Sequence, residues 1–316
     1  MNKILVTGCA GFIGSYLCDR LLKERYKVVG IDNFNDYYDP KIKEKNLDWA
    51  LKSKSFKLYK ADICDFKSLS TIFKKEKPKK IVHLAARAGV RPSIANPKLY
   101  TQVNVLGTVN LLKLAVNFNV KQFILGSSSS VYGNSKNLPF QENDRCENII
   151  SPYGASKRAA EFFVESFYKT YGLKSTILRF FTVYGPRSRP DMAPALFTKA
   201  ILSGKSINQF GDGTSSRDYT YIDDIVNGIT RTLEKDFNFE IINLGNNHPI
   251  KLTEFIIILE KIIGKKARVK KLQMQTGDVE TTWANVVKAK KLLGWMPKTK
   301  FSAGLARYIE WLKNQR

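Results

Sequence analysis

Histidine is nearly absent from this chain, with only His83 and His248 among 316 residues, far apart in sequence. The four cysteines, Cys9, Cys18, Cys64 and Cys146, form no C-x-x-C pair, so neither a zinc site nor a disulfide framework is expected. No apolar run reaches the ~18 residues needed to span a bilayer, which excludes a membrane partner. The chain starts directly on an apolar strand with no room for a signal peptide, and a reducing cytoplasm is its expected location. Acids are scarce beside bases: 28 Asp and Glu against 52 Lys and Arg give a net charge of +24. A basic surplus can serve nucleic acid, but these lysines are spread along the whole chain and no nucleic-acid module is visible. Clusters such as Lys74-Lys75-Glu76-Lys77-Pro78-Lys79-Lys80 fall before a strand and read as solvated surface. No nucleic-acid partner is expected, and the same field favours an anionic small substrate.

What is present begins at once. Ile4-Leu5-Val6-Thr7 is an apolar strand running into Gly8-Cys9-Ala10-Gly11-Phe12-Ile13-Gly14. Gly8 permits a tight turn, Gly11 lets backbone approach a pyrophosphate, and Gly14 allows the following helix to pack closely on the strand. That helix aims its N-terminus at the phosphates. An acid for the ribose is expected about 20 residues on, and Lys27–Asp32 supplies Asp32 at a strand end. A carboxylate repels a 2′-phosphate, and Asn33 rather than Arg follows it, so the expected cofactor is NAD and not NADP.

The length suits one domain or two lobes. Strands are expected at 4–7, 27–32, 56–60, 81–83, 123–126, 175–180 and 241–244, with helical periodicity through 13–22, 100–118 and 156–171. This alternation predicts an α/β fold with a Rossmann-type doubly wound parallel sheet. Past Phe181 glycine and proline punctuate the chain, and helices are expected near 194–203, 252–263, 287–293 and 303–313. These mark a smaller C-terminal substrate lobe, 181–219 plus 248–316, beside a Rossmann domain of 1–180 plus 220–247.

Ligands of such sheets sit outside the carboxyl ends of the strands. One strand delivers Gly126-Ser127-Ser128-Ser129-Ser130 there, and Ser151-Pro152-Tyr153-Gly154-Ala155-Ser156-Lys157 opens a helix. Tyr153 and Lys157 stand at i and i+4 on one helical face. A cation beside the phenol lowers its pKa from about 10 towards use as a general base.

Thr7-Gly8-x-x-Gly11-Phe12-Ile13-Gly14, Ala61-Asp62-Ile63, His83-Leu84-Ala85-Ala86, Asn104-Val105-x-Gly107-Thr108, Ser128 and the Tyr153/Lys157 pair resemble an extended short-chain dehydrogenase/reductase over nearly the whole chain. Within that group the chain is similar to the nucleotide-sugar epimerases and dehydratases. Asp32-Asn33-Phe34-Asn35-Asp36-Tyr37-Tyr38, Leu178-Arg179-Phe180-Phe181-Thr182-Val183-Tyr184-Gly185-Pro186, Arg189-Pro190-Asp191-Met192 and Arg217-Asp218-Tyr219-Thr220-Tyr221 look closest to UDP-glucuronate 4-epimerases. The resemblance implies an isomerase with tightly bound NAD, acting through a transient 4-keto sugar. Ser128, Tyr153 and Lys157 are then catalytic. Phe12, Ile13, Asp32, Asn33, Asp62, Ile63, Leu84, Ala85, Ala86, Asn104 and Phe181, with Tyr153, Lys157 and the glycines, line the cofactor. Asn104 can equally brace a neighbouring strand, and His83 is expected to pack or cap at a strand end. The helices 100–118 and 156–171 resemble those that pair in a homodimer, although packing on their own sheet can consume the same apolar faces.

Dehydratases of this group carry an Asp-Glu pair after a threonine, and decarboxylases a glutamate; Ser127–Ser130 holds no acid, which leaves epimerisation. Thr182 replaces a usual Asn of the galactose-type branch, and Gln275 replaces its usual Arg. Arg217 is then the expected pyrophosphate ligand, Asp278 that of the uridine ribose, and Phe210 a wall for uracil. Thr182 and Arg189 are expected at a sugar carboxylate. The expected reaction is UDP-glucuronate to UDP-galacturonate; UDP-glucose or UDP-N-acetylglucosamine is the rival substrate, and a non-catalytic NAD-binding scaffold the rival of a different class.

Overall fold

A computed structural model describes residues 3–275 and 277–315. The strands in chain order are β1 (Lys3–Thr7), β2 (Lys27–Asp32), β3 (Phe56–Lys60), β4 (Lys80–His83), β5 (Gln122–Ser128), β6 (Ser175–Phe180), β7 (Thr182–Tyr184), β8 (Ser206–Phe210), β9 (Ser216–Tyr221), β10 (Phe239–Leu244), β11 (Pro249–Lys251) and β12 (Arg268–Leu272). Seven of them form one sheet in the order β10-β6-β5-β4-β1-β2-β3, with every neighbouring pair parallel. These are the seven strands expected from the sequence. The central strands read as apolar runs because both faces are covered, whereas the edge strand β3 alternates apolar residues with Lys57 and Lys60. Ile4, Val6, Val82, Ile124 and Leu178 turn into one core, and Leu5, Ile81, Phe123, Leu125 and Ile177 into the other. Strand order reverses between β1 and β4, so the crevice for a ligand opens there.

The expected helices exist, with adjusted ends. Pro152–Tyr171 starts earlier than its apolar pattern, because Pro152 sits at its first position and the Ser151 side chain accepts from Gly154 N–H at 3.1 Å. The helix expected through 100–118 is interrupted: Pro97–Tyr100 leads into a π-helical stretch, Thr101–Leu106, before α-helix resumes at Gly107–Asn117. Sequence reading missed two amphipathic helices, Phe66–Glu76 and Ile222–Leu233, the second packed against Phe12–Lys23.

Past β6, strands β7, β9 and β11 form a mixed three-stranded sheet, and β8 pairs in parallel with β12. None of these five strands was expected. Their residues are too short in run or too polar to read as strands; β12 is exposed at four of five positions. The chain returns to the large sheet at β10. Lys74, Lys75, Lys77 and Lys79 are exposed. Among the described residues no helix is long and apolar enough to cross a membrane, and no group of three or more His, Cys, Asp or Glu can hold a metal ion.

Candidate active site

At the end of β1, Gly8 takes φ +68°, and a Cβ there would lie 2.8 Å from Ala85 N. A Cβ on Gly14 would lie 2.0 Å from Gly8 O, so helix Phe12–Lys23 can approach the strand only through glycine. The helix begins at Gly11 with no side-chain cap, leaving its first N–H groups to a ligand in the crevice. Asp32 is buried at the end of β2. Its Oδ2 accepts from Ala10 N–H at 3.1 Å and its Oδ1 from Phe34 N–H at 2.9 Å, which leaves each oxygen further lone pairs. Lys43 Nζ stands 3.9 Å from Asp32 Oδ1 and donates to Asn35 O at 3.0 Å; burial pushes the pKa of this ammonium down. Sequence reading missed Lys43, because a lysine on a short helix eleven residues past an acid carries no motif.

Asn33 lines the crevice and donates to Asp62 Oδ2 at 2.8 Å, while Asp62 Oδ1 accepts from Cys64 N–H at 2.7 Å. Asp62 therefore shapes its loop, and Ile63 is the neighbour that reaches the cavity wall. The two readings of Asn104 separate clearly. It is buried and does not line the cavity: its Oδ1 accepts from Arg87 N–H at 2.7 Å, and its Nδ2 donates to Arg87 O at 3.0 Å and Ser156 Oγ at 2.9 Å. It braces two segments, and every polar atom is used within the protein. His83 is likewise internal. Thr7 Oγ1 lies 2.7 Å from Nδ1 and Thr108 Oγ1 3.0 Å from Nε2, and burial drives its pKa to about 3, so the ring is neutral.

At the ends of β5 and β6 the cavity holds Ser128, Tyr153, Lys157, Phe181 and Thr182 together. A Cβ on Gly154 would lie 2.5 Å from Ser130 O, so a glycine beside Tyr153 lets the helix press against the serine run. Ser128 Oγ accepts from Ser130 N–H at 3.1 Å and starts a short 3-10 turn, Ser129–Tyr132. The expected acidification of Tyr153 by Lys157 is not what the geometry gives. The lysine ammonium turns to Gly126 O at 2.8 Å. Burial raises the Tyr153 pKa, with the Ser128 hydroxyl and the Arg189 charge pulling it back. Burial also brings Lys157 down to about 8, against the opposing pull of Glu161.

The cavity, about 390 Å³, falls within the ~300–1,000 Å³ usual for small-molecule sites. Phe12, Ile13, Leu84, Ala85 and Ala86 line it near the glycines, and Arg87 and Arg189 bring cations to its wall. Arg189 is not free: Nε donates to Asp191 Oδ1 at 2.9 Å and Nη2 to Oδ2 at 3.1 Å, while its guanidinium lies 5.4 Å from the Tyr37 ring centre. Tyr37 Oη donates to the same carboxylate at 3.2 Å. Arg187 points away, pairing with Asp19 at 2.8 Å over the Tyr16 ring.

Phe210, Arg217 and Asp278 lie outside this cavity wall and form a second group. Arg91, missed in the sequence, joins them: its Nη2 is 3.0 Å from Asp278 Oδ2, and its guanidinium lies 4.6 Å from the centre of the Phe210 ring. The face expected to meet uracil thus carries a cation. Arg217 Nη1 donates to Ser216 O at 2.9 Å and Glu280 O at 3.3 Å, and burial lowers its pKa.

Comparison with known proteins finds the same layout elsewhere. The family described as GDP-mannose 4,6 dehydratase matches residues 5–308. A UDP-glucuronate 4-epimerase of Thermodesulfobacterium geofontis is 46% identical over 314 residues, covering 99% of this chain and 97% of that protein. The structure of a Bacillus cereus UDP-glucuronic acid 4-epimerase in complex with UDP-glucuronic acid and NAD superposes with a TM-score of 0.92 at 37% identity, covering 99% and 100% of the two chains. A Thermotoga maritima UDP-glucose 4-epimerase with UDP-glucose gives 0.91 at 34% identity, covering 99% of each.

Proposed function

This chain belongs to the GDP-mannose 4,6 dehydratase family of nucleotide-sugar epimerases and dehydratases, extended short-chain dehydrogenases/reductases, and on that footing we propose that it is an NAD-dependent UDP-glucuronate 4-epimerase. The observation that carries the reading is the meeting, in one cavity, of Ser128, Tyr153 and Lys157 with Arg189 and Thr182, beside a serine run without a carboxylic acid. The phosphate-binding turn fits a dinucleotide, since a Cβ at Gly8 or Gly14 would strike Ala85 N or Gly8 O and force the tight strand–turn–helix apart. Gly11, Phe12, Ile13 and the helix N-terminus would hold the pyrophosphate, Asp32 and Asn33 the adenosine ribose, Ile63 the adenine, and Lys157 the nicotinamide ribose. Bound NAD would supply a hydride acceptor at C4 of the sugar and a positive charge that favours a phenolate.

Tyr153, beside Ser128 in the cavity, takes the proton of the sugar 4-hydroxyl as the C4 hydride leaves; after the 4-keto sugar has turned over, the hydride that bound NAD would hold returns to the opposite face of C4 and Tyr153 gives a proton back to the same oxygen. Thr182 and the remaining N–H groups of Arg189 hold the sugar carboxylate. Arg217, Asp278 and Phe210, with Arg91, hold the nucleotide diphosphate in the lobe formed by 181–219 and 248–316. Exposed Leu106, Phe162, Phe163 and Tyr171 on the two neighbouring helices support a homodimer, and four free cysteines a cytoplasmic location.

A 4-epimerase of neutral UDP-hexoses is the second reading, favoured by the Asp191 carboxylate that already occupies two donors of Arg189. Incubating purified protein with UDP-glucuronate, UDP-glucose and UDP-N-acetylglucosamine and resolving the epimers separates the two. Turnover dominated by UDP-glucuronate is expected; equal or faster turnover of a neutral sugar overturns the first reading.

A further inference from the structure

Beneath the cavity floor lies a buried charged network that the reaction does not use directly. Glu161 is one helical turn beyond Lys157 and 1% exposed; Arg179 on β6 is fully buried. The two are joined in a bidentate fork, Nε to Oε1 at 3.0 Å and Nη2 to Oε2 at 2.9 Å. Glu161 Oε1 also accepts from Ser127 Oγ at 2.6 Å, and Oε2 from Arg158 Nη1 at 2.9 Å, so four donors converge on one carboxylate. Arg179 Nη1 continues to Tyr132 Oη at 2.9 Å, which donates to Asn243 Oδ1 at 2.7 Å on β10. The network thus ties β5, β6, β10, the 3-10 turn and helix Pro152–Tyr171 together directly under Ser128. A buried ion pair of this kind is rarely more stable than a well-packed apolar pair of the same volume, so stability is a poor account of its presence.

We propose that Glu161 is a positioning residue for the reaction: through Ser127 it fixes the serine strand end against the helix that carries Tyr153 and Lys157, and its charge keeps Lys157 protonated. This rests on the epimerase reading. The geometry supplies the first part, because Ser127 is the neighbour of Ser128 and, among the described residues, its hydroxyl donates to Glu161 alone. Electrostatics supplies the second. Among the described residues, the charged and titratable groups around Lys157 are Glu161, Tyr153 and Arg158 on its own helix, His83 from β4, which is held neutral, and Arg179 from β6; both arginines are paired with Glu161. Burial pulls the Lys157 pKa down to about 8 and Glu161 opposes it, so Lys157 is a cation below about pH 8 and loses its proton as the pH rises through that value. Without Glu161 the same loss occurs at lower pH, and the ammonium that donates to Gly126 O at the end of β5 is lost where the enzyme works.

The test uses full-length NAD-loaded protein and three variants. Ser127→Ala removes one bond and leaves the ion pair; kcat should fall by roughly 10² through misplacement of the strand end, with little change in KM. Glu161→Gln should lower kcat and move the alkaline limb of its pH profile to lower pH. Because Glu161→Gln strands a buried Arg179 and can fail to fold, Glu161→Gln/Arg179→Met provides a neutral pair of similar volume. It should fold, and should show the same displaced limb. Direct titration of lysine Nζ by NMR in these proteins, compared with a Lys157→Met reference, reads the proton on Lys157 even if no UDP-sugar is turned over. A failed substrate reading is thereby distinguished from a failed role for Glu161. Wild-type kcat in Ser127→Ala, or an unmoved Lys157 titration in the neutral double variant, overturns the proposal.

Discussion

The two halves of the cleft are built on opposite plans. On the β1 side, ligand contacts are offered by main chain: a left-handed glycine turn, an uncapped helix end, and a Gly14 whose missing Cβ lets the two approach. On the far side, Arg91, Phe210, Arg217 and Asp278 arrive from four separate segments; Arg91 pairs with Asp278 and lies over Phe210, while Arg217 donates to the carbonyls of Ser216 and Glu280. The first arrangement is fixed by the sheet and is rigid before any ligand arrives. The second consists of half-exposed side chains, so its contacts are individually worth little and are easily exchanged. Affinity for a common cofactor is thereby separated from choice of substrate.

The largest expected effect belongs to the shared seam between the halves. Tyr153→Phe should lower epimerisation by about 10²–10⁴-fold or more while leaving NAD binding and thermal unfolding unchanged. Near-wild-type turnover would remove the phenol from the mechanism. Ser128→Ala should cost less, since the tyrosine remains.

A methyl group on the rigid side should come next. Gly14→Ala places a Cβ 2.0 Å from Gly8 O, a backbone atom that cannot swing aside. Overpacking of this kind costs roughly 1–3 kcal/mol, and it falls where the cofactor docks. Calorimetry should show both a lower Tm and weakened NAD binding; unchanged binding would mean that this turn is not rigid and that the two halves do not differ in this way.

Arg189 sharpens the comparison at the level of substrate choice. A 4-keto glucuronate is a β-keto acid and loses carbon dioxide once its carboxylate aligns with the ketone, so a 4-epimerase must hold that carboxylate. Charge-assisted bonds of about 1.5–3 kcal/mol each can do so. Arg189→Ala should reduce kcat/KM for UDP-glucuronate by roughly 10-fold or more, leave residual UDP-glucose turnover far less affected, and release some pentose product. Equal losses on both sugars would assign Arg189 to general architecture. The smallest effect is expected at Asp278→Asn, which dissolves the partly exposed pair with Arg91. At ~0–1 kcal/mol the KM should change by no more than about 5-fold, measured at two salt concentrations.

The same division governs what the sequence reveals. All seven strands of the large sheet were legible, the central ones because a parallel strand buried on both faces is largely apolar and the edge strand β3 because its apolar residues alternate with lysine, and Gly8, Gly14 and Asp32 were legible because spacing alone sets their chemistry. Ser128, Tyr153 and Lys157 were visible as types at a strand end and a helix start. The five outer strands were not, since β12 reads Arg268-Val269-Lys270-Lys271-Leu272 and has no face to bury. Lys43, Arg87 and Arg91 were missed because their placement depends on where distant loops meet. Asp62 and Asn104 carried family motifs, and the coordinates add the bonds by which each ties down the loop beside it, which spacing does not show.

The π-helical turn at Thr101–Leu106 has a consequence of its own. It brings Asn104 to grip the N–H and the C=O of Arg87, and nothing of the Arg87 side chain. The path of that wall is therefore indifferent to which residue stands at 87, although the side chain there faces the cavity. Position 87 is a socket: evolution, or an engineer, can exchange a guanidinium for an amide or a methyl group and redraw the polarity of the cleft while the scaffold holds its shape.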